Sequence, residues 1–197
     1  MDNIQNAIDS KGAGVFNQAE LFFDDLFLKK LPPLPEQIRD VLFKLAPFWA
    51  ILLILFAVIQ ILFGSLSVLL SLLGTVLSIA TLSGSSVISS VLGIVQAVVG
   101  LALGAVILIY LAKSLKGLFD PKNAGWQALF RAEMVWLAYA VVSGVIGALI
   151  SVMSLSGMGA IMGIGAAIIA IPIQLIFFGL AFYLLFQIKG RYVGAMV

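Results

Sequence analysis

Residues 45–112 decide the fold, and they read LAPFWAILLILFAVIQILFGSLSVLLSLLGTVLSIATLSGSSVISSVLGIVQAVVGLALGAVILIYLA. Lys44 and Lys113 flank this run, and none of its 68 residues is Asp, Glu, Lys or Arg. A soluble domain exposes charge at shorter intervals than this, whereas a helix crosses a bilayer with about 20 apolar residues. The run therefore predicts a chain that is embedded in a membrane.

The composition of the whole chain agrees with this prediction. Of its 197 residues, 62% are hydrophobic and only 10% are charged, and the mean hydropathy is +1.19. Because soluble domains carry about 25% charged residues, we expect a multi-pass protein of the cytoplasmic membrane, whose first partner is the lipid bilayer. The net charge is only +2 and the basic residues are spread over several loops, which argues against nucleic acid as a partner.

Two missing residue types limit the chemistry that this chain can perform. The sequence contains no Cys and no His, so thiolate nucleophiles, zinc sites of the usual nitrogen and sulfur type, and His-based proton transfer are not available. We therefore predict a non-enzymatic protein with no catalytic residue, no metal site and no cofactor. The polar residues 1–14 lack the basic and apolar pattern of a signal peptide, and we expect them to form a mobile tail.

The positions of the basic residues predict the number of membrane crossings. All 11 Lys and Arg residues lie before residue 45, within 113–131 or after residue 188. The positive-inside rule is satisfied without exception if these three regions share the cytoplasmic side. The sequence therefore predicts an all-α bundle over residues 47–190, with both termini in the cytoplasm. Its four spans are expected at residues 47–72, 87–111, 128–153 and 159–188.

The connection between the first two spans is the least determined part of this prediction. Residues 74–86 read GTVLSIATLSGSS and are still fairly apolar. Two spans leave more residues in the uncharged run than a bilayer needs. The connection can therefore be a helical extension, an interfacial cap or a re-entrant segment, and the sequence does not choose among them.

Residues 15–46 predict a different kind of structure before the first span. Apolar and polar residues alternate with helical spacing over 15–30, which predicts an amphipathic helix that lies at the membrane interface. The alternative is that its apolar face docks on the protein's own helices or on a second subunit. Residues 31–35 (LPPLP) then form a stiff elbow, which serves as a hinge or as a polyproline ligand, and a short lead-in helix follows over 36–46.

Small residues recur at four-residue intervals within the spans, which lets helix backbones approach closely in lipid. They predict packing faces between helices, and they leave room for a homo-oligomer or for another membrane subunit. The glycines expected at these faces are Gly93, Gly100, Gly104, Gly144, Gly147, Gly159 and Gly163.

Three glutamines lie near the middle of three spans. Gln60, Gln96 and Gln174 can act as hydrogen-bonding links between helices, which is the simpler interpretation. The alternative is that they line a path for water or a small solute, next to the backbone loosened by Pro172.

Glu133 is the one acidic residue expected below the membrane surface. The simpler interpretation is a salt bridge at the membrane boundary, with Lys113, Lys116 or Lys189 at a neighbouring span end as its partner. The alternative is a proton or cation site at the cytoplasmic mouth of a path.

Short motifs at the span boundaries resemble a group of small, uncharacterised four-span bacterial membrane proteins. The motifs are LPPLP at 31–35, LAPFW at 45–49, the pairs Gly125-Trp126 and Leu129-Phe130 with Glu133, and YLLFQIK at 183–189. The resemblance implies a bacterial origin and a four-span topology, and it implies no activity or active site.

These observations predict a structural or accessory subunit of the membrane that acts through helix packing. The alternative is an oligomeric channel or facilitator for a small solute or ion. The first rests on the abundance of packing residues beside the absence of catalytic residue types.

Overall fold

The computed structural model describes residues 14–80, 84–154 and 158–194. Within these ranges, the side chains at 78, 84–86, 153–154, 158–164 and 166–167 are not described. The described chain is all-helical, and four of its helices are long and apolar enough to cross a membrane, as predicted. The helices are α1 (14–24, continued by a π-helical turn Asp25–Lys30), α2 (Glu36–Ala80), α3 (Gly84–Phe119), α4 (Asn123–Ser154), α5 (Met158–Gln187) and α6 (Lys189–Val193).

The first long helix is much longer than the span predicted at 47–72. It has 45 residues and passes Pro47 without ending, so the predicted lead-in helix at 36–46 and the first span are one helix. Of the connection predicted at 74–86, residues 74–80 belong to α2 and residues 84–86 to α3, while 81–83 lie outside the described residues. Additional helix therefore takes up the described part of the surplus apolar sequence.

The basic segment at 113–131, between the second and third predicted spans, is helical except for a tight turn at 120–122. The helix α3 ends at Phe119 and α4 begins at Asn123. The N–H of Lys122 donates to the Gly117 carbonyl over 2.8 Å and closes the turn. A Cβ atom on Gly117 would lie 2.5 Å from the Cα of Gly125, so the two backbones touch directly. Only glycine at both positions allows this approach.

The four long helices pack in chain order, α2 on α3, α3 on α4 and α4 on α5, as short connections require of antiparallel neighbours. The N-terminal end of α2 lies beside α6, since Arg191 in α6 pairs with Glu36 in α2 over 3.1 Å. The buried apolar residues of the described chain gather at this same end. Most of them lie in 46–57 of α2, 107–118 of α3, 126–132 of α4 and 182–188 of α5.

The helix α1 contacts this end of the bundle with one face. Phe27 is only 6% exposed, and Phe23 stacks on Phe182 of α5 with ring centroids 4.8 Å apart. This face therefore docks on the protein's own helices, which is the alternative to an interfacial position that the sequence left open. A second apolar face, which includes Leu21 and Phe22, stays exposed at 69% and 63%.

Candidate functional site

Glu133 lies in the wall of an apolar cleft, and the helix packing explains why. It follows Phe130 by one helical turn on the face of α4 that turns toward α2 and α5, and it is only 6% exposed. The Trp49 side chain of α2 lines the same cavities as the Glu133 carboxyl group. Among the described residues, no ion pair includes Glu133. The boundary salt bridge weighed from the sequence is therefore not formed.

The expected basic partners of Glu133 point elsewhere. Lys113 and Lys116 are exposed on α3. The Lys189 ammonium pairs with two acids of α1, Glu20 at 2.9 Å and Asp24. The sequence suggested Lys189 as a partner because it lies at the end of a neighbouring span. In the structure, the acids of α1 occupy that role instead.

The cleft opens where α2 and α5 face each other without packing closely. It consists of two adjoining cavities of about 250 and 340 Å³, with α4 as the floor. Both cavities are lined by Trp49, Glu133, Ala181 and Leu184, so the Glu133 and Trp49 side chains stand at their junction. The first cavity is otherwise aliphatic, with Leu42, Leu45, Ala46, Leu129, Leu185 and Ile188 in its wall.

The second cavity has an aromatic wall. Besides Glu133 and Trp49, it is lined by Leu53, Phe56, Trp136, Phe177, Phe178 and Leu180. Three helices supply these residues, since Trp49 and Phe56 belong to α2, Trp136 to α4, and Phe177 and Phe178 to α5. The arrangement places one carboxyl group among five aromatic rings.

A cluster around Lys189 closes the end of the bundle next to the cleft. The Lys189 Nζ atom lies 5.0 Å from the ring centroid of Trp126 and 5.4 Å from that of Phe186. Both rings are fully buried. Cation–π contacts and the two acidic partners from α1 therefore hold the same ammonium group. We call Lys189, Glu20, Asp24, Trp126 and Phe186 the Lys189 cluster.

Hydrogen bonds fix the helices and the elbow around this cluster. The Trp126 indole N–H donates to the Leu185 carbonyl over 3.0 Å, which ties α4 to α5. The Gln187 side chain accepts from the Leu34 N–H over 3.0 Å and donates to the Phe27 carbonyl over 3.3 Å. The proline elbow at 31–35 is thus bound to α5 through its backbone.

The charged pairs within the π-helical turn at 25–30 are solvent-exposed. The Lys30 ammonium lies 3.1 Å from the Asp25 carboxylate, and with Lys29 it holds the pKa of Asp25 below its usual range. Exposed pairs of this kind add little stability. They mark the polar side of the segment that carries α1 into the elbow.

The three glutamines predicted as links or as a path do not come together. The Cβ position of Gly64 in α2 lies against Leu101 of α3, and that of Gly93 in α3 lies against Ser71 of α2. In this register of the two helices, Gln60 and Gln96 are nine residues apart, which is roughly 13 Å along the helix axis. The Gln96 side chain donates to the Ser143 carbonyl of α4 over 3.5 Å, and the Nε2 atom of Gln60 is buried without a hydrogen bond. Gln174 is exposed on the outer face of α5.

The predicted packing glycines fall into three groups. At Gly93, Gly100, Gly104 and Gly144, a Cβ atom would lie 3.1 to 3.3 Å from a side chain of the neighbouring helix. Gly147 differs from the expectation, because nothing lies within 4 Å of its Cβ position. Gly159 and Gly163 belong to α5 but lie outside the residues whose side chains are described.

Sequence reasoning missed the two tryptophans beside Glu133 and the acids that bind Lys189. Trp49 and Trp136 each stand in an apolar run, where a ring that faces a cavity and a ring that faces lipid give the same pattern. Glu20 and Asp24 have the four-residue spacing of one helical face. That spacing was the available signal that both bind one cation.

Comparison of the chain with protein-family models, with curated proteins and with solved structures found no match.

Proposed function

We propose that this protein is a non-enzymatic accessory subunit of the cytoplasmic membrane, which acts by binding and packing. The observation that carries this proposal is the arrangement of the polar side chains within the spans. Gln96 is bonded to a backbone carbonyl, Gln174 lies on the outer face, and Gln60 lies at another depth. A subunit that conducts a solute alone would need its polar groups along one line.

The same proposal includes an orientation. Both termini lie in the cytoplasm, because that side then receives all 11 basic residues. The exposed apolar face of α1, with Leu21 and Phe22, rests among the lipid headgroups. The chain has no cysteine, so single cysteines report the orientation cleanly. Lys122→Cys should resist an impermeant maleimide added to intact cells, and Val76→Cys should react.

The accessory role is tested in a strain from which the gene for this protein has been deleted. Quantitative proteomics of the membrane fraction should show the selective loss of one or a few membrane proteins, which expression of the wild-type chain restores. In parallel, the purified protein in liposomes should pass water, ions and small solutes no faster than empty liposomes do. Flux above that background, lost in Gln96→Leu, would overturn the proposal.

One observation supports a second candidate, an oligomeric facilitator. Gln174 is an exposed amide in the middle of an apolar helix, and the Gly147 surface of α4 is open. An amide that faces lipid leaves its hydrogen-bonding groups unsatisfied unless another chain meets it. A second copy supplies that partner if the two α5 helices face each other.

Cysteine crosslinking separates this candidate from a monomer. Gln174→Cys should form a disulfide-linked dimer in native membranes. Ile176→Cys is the matched control, because Ile176 is 71% exposed at the same depth but points about 200° away around the helix. Equal crosslinking at both positions would indicate random collision and remove the oligomer. Specific crosslinking together with solute flux would favour the facilitator over the accessory subunit.

A further inference from the structure

The setting of Glu133 is unusual for an acid within a membrane span. Its carboxyl group is buried, it lines a cavity together with the Trp49 ring, and none of the described cations pairs with it. Burying an ionised carboxylate without a partner is strongly unfavourable. An ionisable residue buried in a span without a paired cation is therefore a candidate functional site.

The rings around Glu133 indicate the chemistry of that partner. Trp49, Trp136, Phe56 and Phe178 line the same 340 Å³ cavity as the carboxyl group. The faces of aromatic rings carry negative charge density and attract cations, most strongly weakly hydrated ones such as quaternary ammonium groups. A carboxylate and an aromatic wall in one cavity favour the same ligand, an organic cation with apolar substituents.

The size and the position of the cleft agree with a ligand of this class. A volume of 340 Å³ lies in the range of small-molecule sites. Phe56 is 51% and Phe177 68% exposed, so the aromatic wall opens sideways toward the lipid. Trp49 lies five residues beyond Lys44, about 7.5 Å along α2. A hydrophobic cation held at the membrane boundary can therefore reach Glu133 without crossing the bilayer.

We propose that the cleft between α2 and α5 binds hydrophobic organic cations, with Glu133 as the counter-ion and Trp49 and Trp136 as the aromatic wall. An inorganic cation fits less well, because Ca²⁺ and Mg²⁺ require several oxygen ligands and the described chain offers no cluster of three acidic groups. An acyl chain would fill the cavity but would leave the carboxyl group without a partner.

The test measures binding of tetraphenylphosphonium to the whole protein in a neutral detergent by equilibrium dialysis. Glu133→Gln should weaken binding at least about tenfold, since it removes the charge from a poorly solvated site. Glu133→Asp keeps the charge and should bind within about threefold of wild type. Asp120→Asn is the matched control, because it also turns an acid into its amide but lies in the exposed α3–α4 turn. Its affinity should equal that of wild type.

A neutral probe of similar shape completes the test. Triphenylphosphine oxide should bind more weakly than tetraphenylphosphonium, and Glu133→Gln should not reduce its binding. Trp136→Leu should weaken the cation several-fold while Glu133 is intact. The proposal is overturned if wild type does not bind the cation, if Glu133→Gln binds it as tightly as wild type, or if both probes bind equally. If Glu133→Gln does not fold, the proposal is tested by the loss of cation binding in Trp136→Leu and by the difference between the two probes in wild type.

Discussion

Gly117→Ala should weaken the bundle strongly, because it adds a methyl group where two helix backbones are in contact. Gly117 in α3 and Gly125 in α4 are both buried, and their backbones touch where the two helices turn back on each other. A Cβ atom on Gly117 would lie 2.5 Å from the Gly125 Cα and 2.6 Å from its nitrogen. Since these are backbone atoms within a helix, no side-chain rotation relieves the overlap.

The expected magnitude follows from the shift that the methyl group demands. An ordinary contact needs at least 3.4 Å, so the two helices have to separate by about 1 Å at their turn. Overpacking of this kind costs about 1–3 kcal/mol. Separating the helices would also stretch the 2.8 Å hydrogen bond from the Lys122 N–H to the Gly117 carbonyl, which raises the cost by about 1 kcal/mol. We therefore expect the free energy of unfolding to fall by about 3 kcal/mol.

Reversible unfolding in sodium dodecyl sulfate, followed by circular dichroism, measures this loss. Gly147→Ala is the matched control, because nothing lies within 4 Å of its Cβ position. Alanine in a helix interior is favoured over glycine by about 0.5–1 kcal/mol, so the control should be equal to or more stable than wild type. If Gly117→Ala unfolds at the same detergent fraction as Gly147→Ala, the close approach of α3 and α4 is wrong.

Three further substitutions examine the packed end of the bundle. Lys189→Met should leave Glu20 and Asp24 without their cation, so limited proteolysis should cut within residues 14–30 faster than in Lys113→Met, an exposed control. Trp126→Phe should lower the free energy of unfolding by about 1–3 kcal/mol, because the buried Leu185 carbonyl loses its donor. Gln187→Leu should speed hydrogen exchange at the Leu34 amide, which loses its acceptor, and leave exchange in α3 unchanged.

The sequence determines the class of this fold because lipid allows few solutions. Four apolar helices followed from run lengths and from the positions of the basic residues, and the described chain has four such helices. The helix ends were less accessible. Pro47 looked like a boundary, but proline within a long apolar helix is tolerated when neighbouring groups satisfy the freed carbonyl. The surplus at 74–80 was equally compatible with helix and with an interfacial segment.

The candidate site was only half predictable. Glu133 stood out because it is an acid at the edge of an uncharged run. Its neighbours did not, because Trp49 is 84 residues away and on a helix that is not adjacent to α4 in the chain. Contacts between such helices depend on tilt and register, which helical periodicity does not contain. The same limit explains why Gln60 and Gln96 looked like one polar layer although α2 and α3 place them at different depths.

The packing of the terminal end also bears on the cleft beside it. Leu185 and Ile188 line the first cavity, Leu185 is the acceptor of the Trp126 indole, and Ile188 directly precedes Lys189. One wall of the cleft is therefore held by the hydrogen bond between α4 and α5, and it adjoins Lys189, which binds α1. In contrast, the aromatic wall contributed by Phe56 and Phe177 has exposed side chains that no neighbouring helix covers in the described chain. A ligand that enters from the lipid would consequently meet a fixed wall near Lys189 and an adaptable wall farther into the membrane, with Glu133 at the boundary between them.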